Sequence, residues 1–527
     1  MAAALQARGV GPGSHVALLG ATTRPFVTAV QATWLAGATV VVLPLPMRLG
    51  SIEDFVAQTR RLIVHADARI VVIDAQLSEF LDPRPGDPPI VRLDELRGAP
   101  SAFARPADDP DALAILQFTS GSTADPKGVM VPHRCMTANL DAAADAAQLD
   151  TEADVAVSWL PLYHDMGLIG LVGAPMTMGF DLVLASPQDF LAAPARWMEW
   201  TAEFGATVTA GPNFAYALAA RALGRLDRLD LSRWRLALNG AEPIDPDAVE
   251  KFLAAGAPHG VDRRAAFCVF GMAEATLAVT FPTPGKGMQI DTVDQRVLET
   301  DQYAAPVDPD DGTARRLARL GRALDGLELR VSDPTTGQTM RDREVGEIEL
   351  QGSSITPGYY GNPRATADAH RGDWFQTGDL GYLVDGELVV CGRIKDVIIV
   401  GGRNVFPEDV ERAAESVEGV RPGNVIAFGT EGRRGREAVV VVAETKQDEM
   451  LGSPSQARAP AATVGKAAAA AAASVRAAVA ARVTDAIGVP PGDIVLVRPG
   501  TLPKTSSGKP QRSLCRRRYL GDELAPV

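Results

Sequence analysis

Short apolar runs alternate with helix-compatible stretches through the first part of the chain. These runs lie at residues 15–20, 38–43, 68–74 and 113–118. Strands and helices that alternate in this way are typical of α/β units, in which the strands pair largely in parallel. The pattern therefore predicts an α/β fold whose large amino-terminal region, divided into subdomains, carries mainly parallel and mixed sheets.

The pattern changes beyond about residues 393–396, where we predict a domain boundary. Further strands are predicted after it, at 424–429, 438–444 and 493–497. Strands and one long helix in so short a region indicate a small α+β domain. We therefore expect an amino-terminal domain at 1–394 and a carboxyl-terminal α+β domain at 395–527.

The long helix is alanine-rich and follows a low-complexity stretch at 448–460. Gly488 and Pro490 supply its stop signals. Larger apolar residues recur every fourth position along it, at Val475, Val479, Val483 and Ile487. A stripe this narrow is more typical of core packing than of a cofactor site.

Length, composition and charge narrow the class of protein. The 527 residues allow roughly two to four domains with an ample core. No segment reaches about 18 uninterrupted apolar residues, and the first residues lack the apolar stretch of a secretory signal, so no membrane span is predicted. The net charge of −13 argues against general nucleic-acid binding, although it leaves a local basic patch open. Scattered cysteines without metal spacing favour a reducing cytoplasm; they are Cys135, Cys268, Cys391 and Cys515.

Residues 116–128 place hydroxyls, glycines and one lysine directly after an apolar run. Backbone N–H groups freed by glycine, hydroxyls and an ammonium can all point at phosphoryl oxygens where a strand ends in such a loop. The segment is not a Walker P-loop, because Pro126 precedes Lys127 and Gly128 follows it. On its own it is equally compatible with an ordinary surface loop. Its candidate phosphate-binding residues are Thr119, Ser120, Gly121, Ser122, Thr123 and Lys127.

Further segments follow in a fixed order. They read WLPLYHDMGL at 159–168, NGAEP at 239–243, FGMAEAT at 270–276, WFQTGDL at 374–380, GRIKD at 392–396 and TSSGK at 505–509. Together with the hydroxyl-rich loop, this order resembles the adenylate-forming superfamily of acyl-CoA ligases, peptide-synthetase adenylation domains and luciferases, over about residues 10–515. Within it, the string from Tyr163 to Gly167, the alanine before Glu274 and the Gly402-Arg403-Asn404 run look most like fatty acyl-AMP ligases.

The resemblance implies that the chain activates a carboxylic acid with ATP and Mg²⁺. A carboxylic acid is already ionised at pH 7, so the task is to bring one anion to a polyanion and to neutralise charge on phosphoryl oxygens. In this family the hydroxyl-rich loop closes over the β- and γ-phosphates, Glu274 helps to hold Mg²⁺, and Asp379 accepts hydrogen bonds from both ribose hydroxyls. The segments that resemble the adenine pocket comprise Gly240, Ala241, Glu242, Pro243, Phe270, Gly271, Met272 and Ala273.

Two basic residues and one histidine complete the implied site. By resemblance Arg393 contacts ribose and phosphate, and Lys509 reaches the bridging and carbonyl oxygens of the forming acyl-adenylate. The resemblance makes His164 a gate or wall of the acyl pocket, and residues 210–216 are expected to line the same pocket. It also implies that the carboxyl-terminal domain rotates about a hinge at Lys395.

Simpler structural roles remain open for these residues. Glu274 could interact with a helix dipole, Asp379 could cap a turn, and His164 could be a satisfied core residue. Lys509 could be one charge of a basic tail, together with Lys504, Arg512, Arg516, Arg517 and Arg518.

Our prediction of the molecule that accepts the acyl group depends on the long segment between Glu274 and Gly321. Fatty acyl-AMP ligases resemble this chain in carrying an insertion near this point, one thought to restrain domain rotation and to disfavour coenzyme A. A decorative surface loop is the alternative for the charged run 291–319. Lys127 and the Gly401-Gly402 pair instead look like coenzyme A ligases. We expect acyl-AMP formation with delivery to an acyl carrier protein, ahead of acyl-CoA synthesis.

A third possibility is a pseudoenzyme that binds ATP without turning it over. The intact Glu274, Asp379, Arg393 and Lys509 weigh against it, whereas the short amino terminus could support it. Family members usually carry several tens of residues ahead of the turn at 9–13, where this sequence has only a helix tail at 1–8. We therefore expect either a misassigned start or the loss of an opening helix and strand, with altered packing at that edge.

Overall fold

The computed structural model describes residues 1–45, 52–97, 102–119, 126–431, 437–446, 461–505 and 508–527, with the side chains of 431 and 461–468 left out. Several sequence predictions fall outside these ranges. They concern Ser120, Gly121, Ser122 and Thr123 of the hydroxyl-rich loop, the low-complexity stretch 448–460, and Ser506 and Ser507.

The first sheet is built from the apolar runs at the start of the chain. Its strands pair in parallel except at one edge, where Leu113–Thr119 and Lys127–Pro132 form an antiparallel pair with Thr119 opposite Lys127. Lys127 therefore begins a returning strand instead of lying in a turn. In spatial order the strands are Ile90–Arg92, Ala68–Ile73, His15–Leu19, Thr39–Val42, Leu113–Thr119 and Lys127–Pro132.

The second sheet is parallel throughout the strands described. Aromatic side chains of the flanking helices, among them Trp197, Tyr216 and Phe252, pack in the core beside it. Helices that cross between parallel strands bury the sheet in this way. In spatial order the strands are Ala266–Cys268, Leu236–Asn239, Val208–Gly211, Val155–Ser158 and Asp181–Leu184.

Antiparallel strands follow. A small sheet contains Phe270–Gly271, Ala278–Phe281 and Arg322–Ala323. A larger one runs through Gln289–Asp294, Ala314–Arg319, Glu387–Arg393, Trp374–Val384, Gly346–Gly352 and Leu327–Ser332, with His370–Arg371 paired to Trp374–Val384. The motifs FGMAEAT, WFQTGDL and GRIKD begin in strands of these two sheets.

The charged segment 291–319 forms regular structure inside the larger sheet. It supplies two adjacent strands joined through the helix Gln295–Asp301. Val293, Leu298 and Leu317 are buried in a core shared with Tyr382 and Val389. The alternative of a decorative surface loop is therefore wrong for this part of the segment.

The carboxyl-terminal part is a small α+β unit. Its sheets contain Ile398–Val400 with Arg403–Val405, and Val420–Glu431 with Glu437–Thr445 and Asp493–Val497. The predicted stripe of the long helix packs onto this unit: Val479, Val483 and Ile487 are fully buried and Val475 is partly buried. The α/β class, with parallel and mixed sheets and a small α+β end, is confirmed.

Local sequence accounts for many helix ends. Thr23 caps one helix by accepting a hydrogen bond from the backbone N–H of Phe26, and Gly179 ends another with a positive φ of 88°. The π-helical turn Met166–Gly173 carries part of the WLPLYHDMGL motif. Among the described residues, no helix has the length and apolar character needed to cross a membrane. The α-helices are Ala2–Gln6, Arg24–Leu35, Ile52–His65, His133–Ala147, Ala174–Met178, Pro187–Ala192, Ala195–Glu203, Asn213–Leu223, Pro246–Gly256, Gln295–Asp301, Pro363–Asp368, Pro407–Glu415, Ala461–Ile487 and Arg512–Leu520.

Candidate active site

The carboxyl ends of the second sheet open onto a large cleft. The strands ending at Ser158, Gly211, Asn239 and Cys268 lead directly into the predicted motifs. Because parallel strands end at the same edge of a sheet, motifs distant in sequence meet there. The cleft has a volume of about 2570 Å³.

Most of the predicted site residues line this one cleft. They are Thr119, Lys127, His164, Ala241, Glu242, Pro243, Phe270, Gly271, Met272, Ala273, Glu274, Asp379, Arg393 and Lys509. Gly240 lies behind the wall, where an added Cβ would come within 2.9 Å of Val269 Cγ2. The glycine therefore allows two strand ends to approach closely.

Glu274 lies on a short 3₁₀ turn, Ala273–Ala275, at one end of the cleft. The hydroxyl of Tyr359 donates a hydrogen bond of 2.9 Å to Glu274 Oε1, and Lys127 Nζ lies 4.5 Å from the centre of the Tyr359 ring. Burial raises the pKa of Glu274, and the Tyr359 hydrogen bond opposes that rise. Sequence reasoning missed Tyr359, although its place between Gly358 and Gly361 was a visible signal.

The donor set at Glu274 fits a magnesium ion that arrives with phosphates. Among the described residues, no cluster of three or more His, Cys, Asp or Glu side chains could hold a metal by itself. Mg²⁺ in nucleotide sites is commonly held by one or two carboxylates, with phosphate oxygens and water completing its shell. One half-buried carboxylate is what such an ion requires from the protein.

Asp379 and Arg393 face each other on neighbouring strands. Arg393 Nε lies 2.9 Å from Asp379 Oδ1, and the two residues are direct partners in the antiparallel register. Burial raises the pKa of Asp379, whereas the charge of Arg393 lowers it. The pair therefore keeps a buried carboxylate available as a hydrogen-bond acceptor.

The turn that carries Asp379 is held by a second carboxylate. Glu347 accepts hydrogen bonds from the Gly378 backbone N–H at 3.3 Å and from Gln376 Nε2 at 2.8 Å. Thr377 Oγ1 accepts the Asp379 N–H at 3.1 Å, and Gly378 has a φ of +71° that favours glycine. Glu347 was missed because nothing in the local sequence distinguishes it from any other strand glutamate.

Lys509 reaches the cleft from the carboxyl-terminal part. Its loop is closed by hydrogen bonds between the Thr505 N–H and the Lys509 carbonyl, at 2.8 Å, and between the Lys509 N–H and Thr505 Oγ1, at 3.1 Å. Burial lowers the pKa of Lys509, whereas the carboxylate of Asp165 raises it and Arg393 lowers it further. Asp165, which belongs to the quoted motif but was given no role, is therefore a partly buried counter-charge near this lysine.

His164 is partly buried near the same lysine, and its Nε2 atom is shielded from solvent. Burial and the positive charge of Lys509 lower the pKa of His164 to about 3. Its Nε2 atom has no hydrogen-bond partner among the described residues. The imidazole is thus neutral at pH 7 and lines the cleft as part of its wall.

Part of the cleft lining is apolar and includes residues of the helix His133–Ala147; this part is called the apolar arm. Leu140, Ala143 and Ala147 of that helix line one side of it. Strand and loop residues line the remaining sides: Leu149, Val208, Ala210, Leu236, Leu238, Val269, Leu277 and Phe281. Residues 210–216 were expected in this wall, and Ala210, Pro212, Asn213 and Phe214 do line the cleft.

Comparison with known proteins places these features in a family. The AMP-binding enzyme family matches residues 1–360. Rv1013 of Mycobacterium tuberculosis is 40% identical over 460 residues, covering 85% of this chain and 83% of its own length. JamA of Moorena producens, named a medium-chain-fatty-acid–acyl-carrier-protein ligase, is 31% identical over 95% of this chain and 84% of its own. FadD26 of Mycobacterium bovis, named a long-chain-fatty-acid–AMP ligase, is 33% identical over 97% and 88%.

Another relative carries a different name. FadD25 of Mycobacterium tuberculosis, named for fatty-acid–CoA ligase activity, is 34% identical over 85% of this chain and 80% of its own. A solved structure from work on fatty acyl-adenylate ligases of E. coli and L. pneumophila matches 99% of this chain and 91% of its own, with a TM-score of 0.88 at 31% identity. A fatty acyl-adenylate ligase from L. pneumophila, solved with acyl adenylate and pyrophosphate, matches 100% and 89% with a TM-score of 0.71 at 29% identity.

Proposed function

This chain belongs to the AMP-binding family of adenylate-forming enzymes and is most similar to fatty acyl-AMP ligases, and from that premise we propose its reaction. It activates a fatty acid with ATP, releases pyrophosphate, and passes the acyl group from acyl-AMP to the phosphopantetheine thiol of an acyl carrier protein. The reaction takes place in the cytoplasm, which suits the four buried, unbridged cysteines.

The observation that carries this proposal is that a single cleft is lined both by the apolar arm and by the charged side chains of the predicted site. A hydrocarbon chain fits an arm lined by alanine, leucine, valine and phenylalanine. Its carboxylate would then lie where Lys509, Arg393 and Asp379 converge. Because the acid is already ionised, these groups need only align it with the α-phosphorus and stabilise the charge that develops.

Each polar residue has a distinct task in this proposal. Asp379 accepts hydrogen bonds from the ribose hydroxyls, Lys127 binds the outer phosphates, and Lys509 stabilises charge on the oxygens of the forming acyl-adenylate. Glu274 holds Mg²⁺, which supplies neutralising charge to the phosphates when bound. Neutral His164 closes the acyl arm against water.

Two ion pairs support the carrier protein as the acceptor. Arg403 Nε lies 3.1 Å from Glu299 Oε2, and Arg315 Nε lies 3.1 Å from Asp409 Oδ1. Both pairs join the segment 289–319 to residues beyond the proposed hinge at Lys395. A rotation about Lys395 would separate both pairs, including the fully buried carboxylate of Glu299. These contacts would therefore oppose the domain rotation that a coenzyme A ligase requires.

Synthesis of acyl-CoA is the second candidate. It is favoured by Lys127 and by the Gly401-Gly402 pair, which resemble those of coenzyme A ligases. The two glycines have φ angles of +59° and +79°, so this turn has the freedom that glycine provides. The name of FadD25 points in the same direction.

Mass spectrometry of the products distinguishes the candidates. The enzyme would be given ATP, Mg²⁺ and a panel of fatty acids, with coenzyme A and a phosphopantetheinylated carrier protein offered in parallel. We expect acyl-AMP and acylated carrier protein to dominate. Acyl-CoA as the main product would identify a coenzyme A ligase, and the absence of pyrophosphate release with every acid would reject acid activation.

A further inference from the structure

A short segment, Thr356 to Tyr360, connects two parts of the cleft that lie far apart in sequence. The Tyr360 N–H donates to the Gly128 carbonyl at 2.8 Å, and the Met130 N–H donates to the Gly358 carbonyl at 3.0 Å. The Thr356 N–H donates to the Glu274 carbonyl at 2.9 Å. The segment is thus bonded both to the strand that begins at Lys127 and to the turn that carries Glu274.

The side chain of Tyr359 contacts the functional groups of both parts, the Glu274 carboxylate and the Lys127 ammonium. Its hydroxyl donates to Glu274 Oε1 at 2.9 Å, and its ring face receives Lys127 Nζ at 4.5 Å. Only 6% of the residue is exposed. A phenol is protonated at neutral pH, so the Tyr359 hydroxyl can donate to the Glu274 carboxylate.

We propose that Tyr359 is a positioning residue that sets Glu274 for the magnesium ion and holds Lys127 for the outer phosphates of ATP. The inference rests on the proposed function and adds a residue to which neither the sequence motifs nor the names of the relatives assign a role. Tyr359 acts through its two neighbours and does not touch the reacting atoms.

The chemistry of the two contacts explains why one residue serves both. A hydrogen bond to Oε1 orients the carboxylate, so that the second oxygen, Oε2, is presented to a cation. A cation–π contact is weaker than a direct pair between an ammonium and a polyphosphate in a partly buried site. The ring can therefore hold the ammonium in place and release it when phosphate arrives.

Tyr359→Phe tests the hydroxyl alone, because the ring and its packing remain. Binding of a non-hydrolysable ATP analogue would be measured by calorimetry over a series of Mg²⁺ concentrations. A hydrogen bond to a charged group is worth about 1.5–3 kcal/mol, so the Mg²⁺ concentration for half-maximal binding should rise on the order of ten-fold or more. Binding of AMP, which depends on the adenine and ribose contacts, should not change.

The neighbouring tyrosine provides a matched control. Tyr360 packs edge-on against His15, with ring centres 4.9 Å apart, and has no contact with Glu274 in the structure. Tyr360→Phe removes the same hydroxyl one residue away and should leave the Mg²⁺ requirement unaltered. Tyr359→Leu, which also removes the ring, should weaken pyrophosphate binding further than Tyr359→Phe does.

A double-mutant cycle with Glu274→Gln separates positioning from general structural damage. If Tyr359 acts through Glu274, adding Tyr359→Phe to Glu274→Gln should change the Mg²⁺ requirement by less than two-fold, because the carboxylate it positions is already gone. An unaltered Mg²⁺ requirement in Tyr359→Phe, or an equal increase in both backgrounds, would overturn the proposal. If no fatty acid yields acyl-AMP, the proposed function is rejected. The effect of Tyr359→Phe on Mg²⁺-dependent binding of the ATP analogue can still be measured in that case.

Discussion

Lys509 carries a partly buried ammonium that lies near the charges of Asp165 and Arg393. Burial lowers its pKa, while Asp165 keeps the charged form favoured. A charge held in this setting is worth more to a developing oxyanion than the same charge in water. At the scale of single residues, we therefore expect Lys509 to act chiefly in the transition state and Asp379 to bind the nucleotide.

Lys509→Ala should reduce acyl-adenylate formation by two orders of magnitude or more, in line with the loss of one preorganised charge. ATP binding and the melting temperature should change little, because the lysine is needed chiefly when charge develops. Pyrophosphate exchange measures the rate and calorimetry the binding. Exchange at the wild-type rate would remove Lys509 from the reaction.

Asp379→Ala should impair nucleotide binding as well as rate. Two hydrogen bonds to a charged acceptor contribute about 1.5 kcal/mol or more each, so the Kd for ATP should rise about a hundred-fold. Calorimetry with ATP gives the readout, and ATP affinity equal to that of the wild type would exclude a ribose contact.

His164 should make the fold sensitive to acid. In the unfolded chain an imidazole takes up a proton below its ordinary pKa of 6.5, whereas in the fold its pKa is lowered to about 3. The unfolded state therefore binds more protons between these values, and stability falls as the pH falls through that window. In His164→Gln the loss of stability between about pH 6.5 and 4 should be smaller, as measured by denaturant unfolding. Identical pH profiles would mean that the imidazole is not buried in its neutral form.

At the scale of elements, the strands Gln289–Asp294 and Ala314–Arg319 do two things at once. They extend the antiparallel sheet, and both Arg315 of the second strand and Glu299 of the helix Gln295–Asp301 between them form ion pairs with the carboxyl-terminal part. Arg315 also stacks on Phe406 at 4.5 Å, so this contact is both ionic and apolar. A segment whose strands are buried in the sheet can therefore restrain the movement of the carboxyl-terminal part, which a free surface loop could not do.

Arg403→Gln should loosen this restraint without touching the nucleotide site. We expect transfer to coenzyme A to rise several-fold while acyl-AMP formation stays within two-fold of the wild type, since only the pair with Glu299 is lost. Arg343→Gln is the matched control, because Arg343 pairs with Asp291 of the same segment, at 3.1 Å, without reaching the carboxyl-terminal part. Equal effects of both variants would show that the segment affects the acceptor through stability alone.

At the scale of the whole molecule, a net charge of −13 coexists with a basic carboxyl-terminal run. Between Lys504 and Arg518 there are six Lys or Arg and no Asp or Glu. The structure divides this run: Arg512 is engaged by Asp396, at 3.2 Å, and by Glu411, at 2.7 Å, whereas Arg516 and Arg517 are exposed. Only the outer part of the run is therefore available to a partner.

Replacing Arg516, Arg517 and Arg518 with glutamate should slow transfer to an acidic carrier protein several-fold and leave acyl-AMP formation unchanged. The defect should shrink as salt rises, because exposed charges are screened over about 10 Å at 0.1 M ionic strength. Arg105→Glu, at an exposed arginine near the other end of the chain, is the control. Loss of both half-reactions would indicate structural damage, and no loss in either would reject docking at this helix.

The sequence by itself determined the class of fold and most of the site. Apolar runs such as 68–74 and 113–118 predicted buried strands because period and length are local properties. The ordered motifs predicted Glu274, Asp379, Arg393 and Lys509, and the structure brings all four to one cleft. The division of roles among them remains a prediction.

Only the tertiary structure decided which side chains support these residues. Tyr359 and Glu274 are 85 positions apart in the sequence, and Glu299 and Arg403 are 104 positions apart. The spacing of nearby residues therefore cannot predict either contact. The same holds for Arg512, which shares the basic run of Lys509 but is paired with Asp396 and with Glu411 of the helix Pro407–Glu415. Contacts of this kind depend on where the chain returns after many elements, and that is a property of the packed molecule.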